Sequence, residues 1–262
     1  MYNQGNRKNK TALVTGAASG IGFAFADNLA KRGYNLLIAD IREAKIIEVA
    51  DTLRSRYDVE VSHLALDLSK IDAAETVYEF CIKQNIDIHI LISNAGMLIF
   101  DAMADIEFDK YNTILQLHVN TPAKLCRLFG EKMKERKEGY ILTVSSLTAW
   151  MPYPYLSMYA STKRFLRTFS RSIHFELSKY NVGVTTICPG GIDTELFNLK
   201  PNLRKLARCL GILMKADTLA KRALRKMFRK RVTYVPGLLY KIILPILLVV
   251  PVRIIALFSK RR

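Results

Sequence analysis

Strand-like and helix-like segments alternate along this chain, and that alternation limits the fold more than any other feature. The runs TALVTG (11–16), YNLLIAD (34–40) and IDIHILISNAG (86–96) are largely apolar on both faces, as strands covered on both sides must be. Each precedes a segment whose apolar residues recur at helical spacing. The order predicts an α/β fold with a doubly wound, Rossmann-like parallel sheet and helices on both faces.

The sheet is expected to have about seven strands in one domain. We find no linker or internal boundary before about residue 195, and half of the 262 residues are apolar, enough for one large core. Residues 1–237 are therefore predicted to form a single Rossmann-like domain. Further strands are predicted in VEVSHLALDL (59–68), GYILTVSS (139–146), VGVTTICPG (182–190) and RVTYVPG (231–237).

Cysteine and histidine usage indicates neither disulfides nor a metal. The four cysteines, at positions 81, 126, 188 and 209, form no CxxC pair and do not cluster with the four histidines. The first ten residues are polar and lead directly into a strand, so no signal peptide is expected. These features favour a reduced, cytoplasmic protein.

Charge divides the chain into a neutral body and a basic end. Residues 1–199 contain 23 Lys/Arg and 22 Asp/Glu, whereas residues 200–262 contain 17 Lys/Arg and one acid, Asp217. Most of the net charge of +17 therefore belongs to the last quarter of the chain.

A glycine loop lies between the first strand and the first helix. Gly16, Gly20 and Gly22 are spaced G-x3-G-x-G, and glycine lets the backbone approach a pyrophosphate at the positive end of a helix. Asp40 ends the second predicted strand, where a carboxylate would bind ribose hydroxyls and repel a 2′-phosphate. NAD(H) is thus favoured, but Arg42 could accept that phosphate, so NADP(H) stays open. Asp40 as a plain turn residue is the alternative.

Several motifs in order resemble those of the short-chain dehydrogenase/reductase family. They are TGAASGIG (15–22), SNAG (93–96) with Ser93 in place of the family's first asparagine, and PGGIDTEL (189–196). Ser146, Tyr159 and Lys163 also reproduce the family's catalytic spacing. The resemblance implies a dinucleotide site made of Gly16, Ser19, Gly20, Ile21, Gly22, Asp40, Arg42, Asp67, Leu68, Asn94, Ala95, Gly96, Tyr159, Lys163, Pro189, Gly190, Ile192 and Thr194.

The chemistry of the predicted catalytic residues follows from their spacing. Tyr159 and Lys163 are four apart, on one face of a helix, so the ammonium is expected to lower the pKa of the phenol and make it a usable acid or base. Ser146 would donate a hydrogen bond to the reacting oxygen. By resemblance, Asn120 fixes a water that relays protons, and residues 195–216 form a substrate lid.

The end of the chain is expected to be a functional addition. Residues 216–231 are typical of a basic amphipathic helix, and the tail, residues 238–262, is apolar but interrupted by prolines and cations. Its uncharged run is too short to span a bilayer, which takes about 20 residues, so we expect peripheral contact with an anionic membrane. Contact with a second subunit in a homo-oligomer is the alternative, and nucleic acid is disfavoured because aromatic residues are sparse there.

Together these features predict an NAD(P)-dependent oxidoreductase that interconverts a secondary alcohol and a ketone. The leucine-rich lid and apolar tail favour a hydrophobic, lipid-like substrate of the hydroxysteroid, 3-oxoacyl or 3-ketosphingoid type. A non-catalytic dinucleotide-binding scaffold at membranes is the alternative.

Overall fold

A computed structural model describes residues 9–193, 207, 212–251 and 253–254. Nine strands lie in these ranges, in two sheets. Their bounds are β1 Thr11–Thr15, β2 Asn35–Asp40, β3 Val61–Ala65, β4 Ile88–Ser93, β5 Gly139–Val144, β6 Val182–Ile187, β7 Gly191–Asp193, β8 Leu213–Lys215 and β9 Thr233–Tyr234.

The main sheet has seven parallel strands in the order β3-β2-β1-β4-β5-β6-β9, which confirms the predicted doubly wound fold. Val14 of β1 pairs with Ile38 on one side and Ile92 on the other. The strand order therefore reverses between β1 and β4. In open α/β sheets, ligands bind beyond the carboxyl ends of the strands at this switch point.

Eight α-helices connect and cover the strands within the described ranges. A π-helical turn, Gln116–Asn120, joins the fourth to the fifth, and short 3-10 turns span Met103–Asp105 and Leu147–Trp150. The helices are α1 Gly20–Ala30, α2 Glu43–Arg56, α3 Ala73–Lys83, α4 Phe108–Leu115, α5 Thr121–Glu135, α6 Ser157–Ser178, α7 Ala216–Phe228 and α8 Leu238–Val249.

The sheet separates two apolar cores because successive side chains of a strand point to opposite faces. Val14 packs with α1, α2 and α7, whereas its neighbour Leu13 packs with α3 and α5. Burial on both faces explains why the strands are nearly continuous apolar runs. Cys81, Cys126 and Cys188 are buried free thiols in or beside this framework.

The basic amphipathic helix is α7, and its apolar side is a core element. Leu219, Ala223 and Met227 are fully buried against the sheet. The predicted seventh strand shortens to the two residues of β9, and β7 and β8, which pair in a separate parallel sheet, were not predicted. Of the lid predicted at residues 195–216, only Ala207 and residues 212–216 lie inside the described residues.

Helix α8 begins the predicted tail and contains Pro245. None of the described helices combines the length and apolarity needed to cross a bilayer. Within the described ranges, no group of three or more His, Cys, Asp or Glu side chains is placed to hold a metal ion.

Candidate active site

A cavity of about 1450 Å³ opens at the carboxyl edge of the sheet, at the switch point. Residues that end or follow five neighbouring strands line it: Gly16, Asp40, Asn94, Ser146 and Pro189. The parallel direction of the strands brings these distant positions to one edge. Most of the predicted residues therefore meet in one place.

The glycine loop packs too closely to hold side chains. A Cβ on Gly22 would lie 1.9 Å from the carbonyl oxygen of Gly16, so this turn accepts only glycine there. Asn94 holds the loop from the other side, because its Nδ2 donates to the carbonyls of Thr15 (2.9 Å) and Gly16 (3.2 Å). The resulting backbone cradle at the start of α1 suits a pyrophosphate. Ser19, Gly20 and Ile21 line it, and Gly22 packs beneath.

Asp40 and Arg42 form an ion pair at the end of β2. Oδ1 of Asp40 accepts bonds from Arg42 N (3.1 Å) and Nε (2.9 Å), and Oδ2 accepts from Ala18 N (3.0 Å) and Arg42 Nη2 (3.2 Å). Arg42 Nη2 also donates to Ser19 Oγ at 3.0 Å. Burial alone would raise the pKa of Asp40, but the bonds from Arg42 and Ala18 outweigh it and lower the pKa.

Asp67 and Leu68 lie beside this pair, beyond β3, and line the same cavity. Burial tends to raise the pKa of Asp67, but the hydroxyl and backbone N–H of Ser69, at 2.7 and 2.9 Å, bring it below the ordinary value. The carboxylate is therefore ionised and fixed by its own turn.

Ser146, Tyr159 and Lys163 face the cavity together. Ser146 follows β5, and the other two lie one turn apart near the start of α6. The Lys163 ammonium nitrogen lies 5.6 Å from the centroid of the Tyr159 ring and donates to the Val144 carbonyl at 3.0 Å. Ser145 is occupied elsewhere, since its hydroxyl donates to the Lys163 carbonyl at 2.6 Å.

The expected lowering of the phenol pKa by Lys163 is wrong. Burial raises the pKa of Tyr159, and a hydrogen bond with Ser146 offsets only part of the rise. Burial also lowers the pKa of Lys163 to about 8. Because burial disfavours the charged phenolate, the Tyr159 side chain is neutral at physiological pH.

Asn120 is not among the residues that line the cavity. It ends the π-helical turn and is exposed, because the wide turn directs His118, two positions earlier, into the interior. His118 is fully buried, with its ring centroid 5.8 Å from that of Tyr159. Asn120 is therefore exposed and outside the lining of the cavity. Sequence reasoning missed His118 because a π-turn leaves no clear sequence signal.

The motif after β6 forms the far wall of the cavity. Pro189, Gly190 and Ile192 line it, whereas Thr194 lies outside the described residues. Tyr240 of α8 covers this wall: its hydroxyl accepts from Gly191 N at 3.1 Å and donates to the Ile212 carbonyl at 2.6 Å. The predicted tail therefore contributes to the cavity, which no local motif indicated.

Apolar side chains surround the remaining opening. Leu98 and Phe100 come from the loop after β4, and Met151, Tyr153 and Leu156 come from the segment between β5 and α6. Their rings and aliphatic groups provide the kind of surface that binds an apolar molecule.

The fold and this cavity define a doubly wound α/β protein with a glycine loop at its switch point. The sequence pattern of the family described as short chain dehydrogenase matches residues 10–203. The chain belongs to the short-chain dehydrogenase/reductase family.

The relatives include enzymes named for lipid substrates. A very-long-chain 3-oxoacyl-CoA reductase from Mus musculus is 32% identical over 206 residues, 77% of this chain and 65% of the relative. The very-long-chain 3-oxoacyl-CoA reductase-A of Danio rerio is 31% identical over 202 residues, 75% of this chain and 62% of the relative. The chain thus spans less than two thirds of the length of either.

Solved structures share the architecture. A short-chain dehydrogenase from Sphingobium yanoikuyae in complex with NADPH is 25% identical, with a TM-score of 0.79 over 97% of this chain and 96% of that one. A 7β-hydroxysteroid dehydrogenase, 23% identical with a TM-score of 0.83 over 90% of each chain, shows the same fold. None of these similarities supports the scaffold alternative.

Proposed function

We propose that this protein is an NAD(P)-dependent oxidoreductase that interconverts a ketone and a secondary alcohol on an apolar, lipid-like substrate. The observation that carries the proposal is the common cavity of Ser146, Tyr159 and Lys163 with the glycine loop. A scaffold that only binds a dinucleotide has no use for a half-buried phenol beside a buried hydroxyl and a buried ammonium at one opening.

The site's own groups suit ketone reduction. Tyr159, neutral at physiological pH, donates its proton to the carbonyl oxygen as charge develops there, and Ser146 donates a hydrogen bond to the same oxygen. Lys163 is held by the Val144 carbonyl. In this proposal it adds a positive charge near that oxygen and binds the nicotinamide ribose. The nicotinamide, when bound, supplies the hydride.

The substrate class rests on the cavity walls and on the relatives. The apolar side chains around the opening suit an acyl chain or a fused-ring skeleton; they are those of Leu98, Phe100, Met151, Tyr153 and Leu156. Two relatives are named very-long-chain 3-oxoacyl-CoA reductases, which favours a 3-oxoacyl thioester over a hydroxysteroid or a 3-ketosphingoid base.

Cofactor choice is assigned to the Asp40–Arg42 pair and not to Asp40 alone. The Asp40 carboxylate already accepts four hydrogen bonds from Ala18 and Arg42. The Arg42 guanidinium also neutralises the negative charge of the carboxylate. A 2′-phosphate would therefore meet Arg42 and Ser19, not an unpaired carboxylate. Both NADP(H) and NAD(H) are accepted, the former through Arg42.

The tail is assigned to an anionic membrane surface. Along α8, Leu238, Ile242 and Val249 are 74%, 59% and 79% exposed, and Lys241 lies among them. Exposed aliphatic groups beside a cation suit the headgroup boundary of a bilayer.

Flotation with vesicles that contain phosphatidylserine tests this assignment. The wild-type chain is expected to float with the vesicles, and the Ile242→Glu variant is expected to remain at the bottom of the gradient. A wild-type chain that remains at the bottom at every protein concentration tested, but sediments as a dimer, would assign this face to a second subunit.

The activity is tested by following dinucleotide oxidation with a panel of 3-oxoacyl thioesters and ketosteroids. We expect turnover by the wild type and a loss of about 100-fold or more in Tyr159→Phe, since general acid catalysis contributes that much. Tyr111→Phe, which removes a hydroxyl bound to the Met103 carbonyl outside the cavity, is the control. Equal turnover by wild type and Tyr159→Phe would refute the assignment.

A further inference from the structure

His118 occupies the space behind Tyr159 and uses both ring nitrogens. Nε2 accepts a hydrogen bond from Met97 N at 2.9 Å, so the neutral ring carries its proton on Nδ1. Nδ1 lies 3.0 Å from Thr162 Oγ1, to which it therefore donates. Thr162 Oγ1 in turn donates to the Tyr159 carbonyl at 2.9 Å. One imidazole thus links the loop after β4 to the first turns of α6.

The same ring lies close to the catalytic ammonium. A Cβ placed on Gly96 would be 2.8 Å from His118 Nε2 and 3.5 Å from Lys163 Nζ, so both nitrogens reach the same small space beside the loop. The ring also contacts Tyr159 edge to face, with an interplanar angle of 70°. His118 therefore contacts the loop after β4 and the turn of α6 that carries Tyr159.

The π-helical turn explains this placement. A turn of this kind inserts one extra residue into a helix and changes which side chains point inward, and it is frequent at functional sites. Here it lies between α4 and α5, with His118 buried and Asn120 exposed. The side chain that this turn directs into the interior is therefore that of His118 and not that of Asn120.

We propose that His118 is a positioning residue that fixes Tyr159 and Lys163 relative to the loop after β4, acting through Thr162. The inference rests on the proposed oxidoreductase function. His118 transfers no proton in this arrangement, because one nitrogen accepts from a backbone N–H and the other donates to a hydroxyl.

The ring must stay neutral to do this. The titratable groups that face it are Lys163 and Tyr159 of α6, whereas the loop after β4 presents Gly96 and Met97. Burial, and then the charge of Lys163, hold the pKa of His118 well below its ordinary value. Protonation would turn Nε2 into a donor facing the Met97 N–H and place a second cation beside Lys163.

The test compares Thr162→Val and His118→Phe with a matched control, His174→Phe. His174 lies in α6 and its Nδ1 bonds to the Val184 carbonyl at 2.8 Å, but it does not line the cavity. Thr162→Val keeps the side-chain volume and removes the hydroxyl that bonds to His118 and to the Tyr159 carbonyl. If His118→Phe fails to fold, Thr162→Val alone decides the test. The readouts are kcat, dinucleotide Kd, and the pKa of the Tyr159 phenol from ultraviolet difference titration of each protein against its own Tyr159→Phe counterpart.

Thr162→Val is expected to lower kcat by about 10- to 100-fold, the range for a small misplacement of a reacting group, and to move the phenol pKa. Dinucleotide Kd is expected to change much less than kcat, because the glycine loop and the Asp40–Arg42 pair lie outside this link. His174→Phe is expected to lower Tm while kcat and the phenol pKa stay unchanged. Folded Thr162→Val with wild-type kcat and phenol pKa would overturn the inference.

Failure of the proposed function gives a different result. A wild-type protein that turns over no ketone counts against the oxidoreductase assignment. The ultraviolet titration still decides the positioning role, because it needs no turnover.

Discussion

The hydroxyl of Tyr240 lies 3.1 Å from the backbone nitrogen of Gly191 and 2.6 Å from the carbonyl oxygen of Ile212, so α8 is attached to the wall of the candidate active site. The contact also explains a glycine. A Cβ on Gly190 would lie 2.2 Å from Tyr240 Cζ, and no side chain fits between the motif and the ring.

Tyr240→Ala is therefore expected to affect long substrates more than short ones. Removing the ring opens the wall beside Gly190, and we expect KM for a long-chain 3-oxoacyl thioester to rise by about tenfold, the order of one lost apolar contact in a pocket. KM for a short-chain thioester is expected to change little. Steady-state kinetics with both substrates measure the difference, and an unchanged ratio of the two KM values would contradict the role of α8.

Arg42→Ala should separate the two cofactors. Loss of a charge-assisted bond to the 2′-phosphate is expected to weaken NADPH binding by about tenfold or more. NADH binding is expected to hold or improve, because Asp40 is then free to accept ribose hydroxyls. Fluorescence titration with each cofactor measures this. Arg56→Ala, which removes an exposed partner of Asp27, is the control; equal losses for NADPH and NADH in Arg42→Ala would disprove the assignment.

Lys163→Met should abolish turnover but stabilise the fold near neutral pH. The pKa of Lys163 falls from its ordinary 10.5 to about 8, a difference of about 3 kcal/mol at 1.36 kcal/mol per unit. Below pH 8 the buried Lys163 side chain is charged in the folded protein, and this charge lowers the free energy of unfolding. Between 8 and 10.5 the unfolded chain binds more protons, so the contribution of Lys163 to stability rises with pH.

The net gain at pH 7 is expected to be about 1 kcal/mol, because the variant leaves the Val144 carbonyl without its donor. Urea unfolding at pH 7 and pH 10 measures it, and the gain should shrink at pH 10. Lys45→Met, on the exposed side of α2, is the control and should change stability by less than about 0.5 kcal/mol. A variant less stable than wild type at pH 7 would show that the carbonyl outweighs the charge.

Gly22→Ala is expected to prevent dinucleotide binding. The new Cβ would overlap the Gly16 carbonyl at 1.9 Å, and relief requires the loop to move. We expect a loss of about 1–3 kcal/mol in stability and no detectable NADPH binding. In Gly130→Ala, by contrast, the nearest atom is an ordinary 3.5 Å away inside α5, and the variant should be as stable as wild type or more so. Calorimetry and ligand titration check both; wild-type affinity in Gly22→Ala would refute the close packing.

Local sequence was sufficient for the sheet and for the residues that end its strands. Apolar runs such as TALVTG and VGVTTI must be buried on both faces, which requires helices on both sides and brings the motifs to one edge. Ser146, Tyr159 and Lys163 were predicted because their spacing resembles the family's catalytic spacing, and the shared helix face of Tyr159 and Lys163 follows from their separation of four residues. The length of strand β9 was overestimated. Its pairing with β6 extends only over Thr233 and Tyr234, and the composition of the segment does not reveal that limit.

The sequence by itself determined the parallel sheet, the glycine loop and the helical register of Tyr159 and Lys163, since each depends on residues near one another in the chain. Only the tertiary structure decided that the side chain of His118 faces the interior and that of Asn120 does not. It also decided that Arg42 forms an ion pair with Asp40 and that Tyr240 lines the cavity. It also reversed the expected shift in the phenol pKa. These outcomes depend on which distant groups share a buried space and on the cost of removing charge from water, and neither can be read from spacing along the chain.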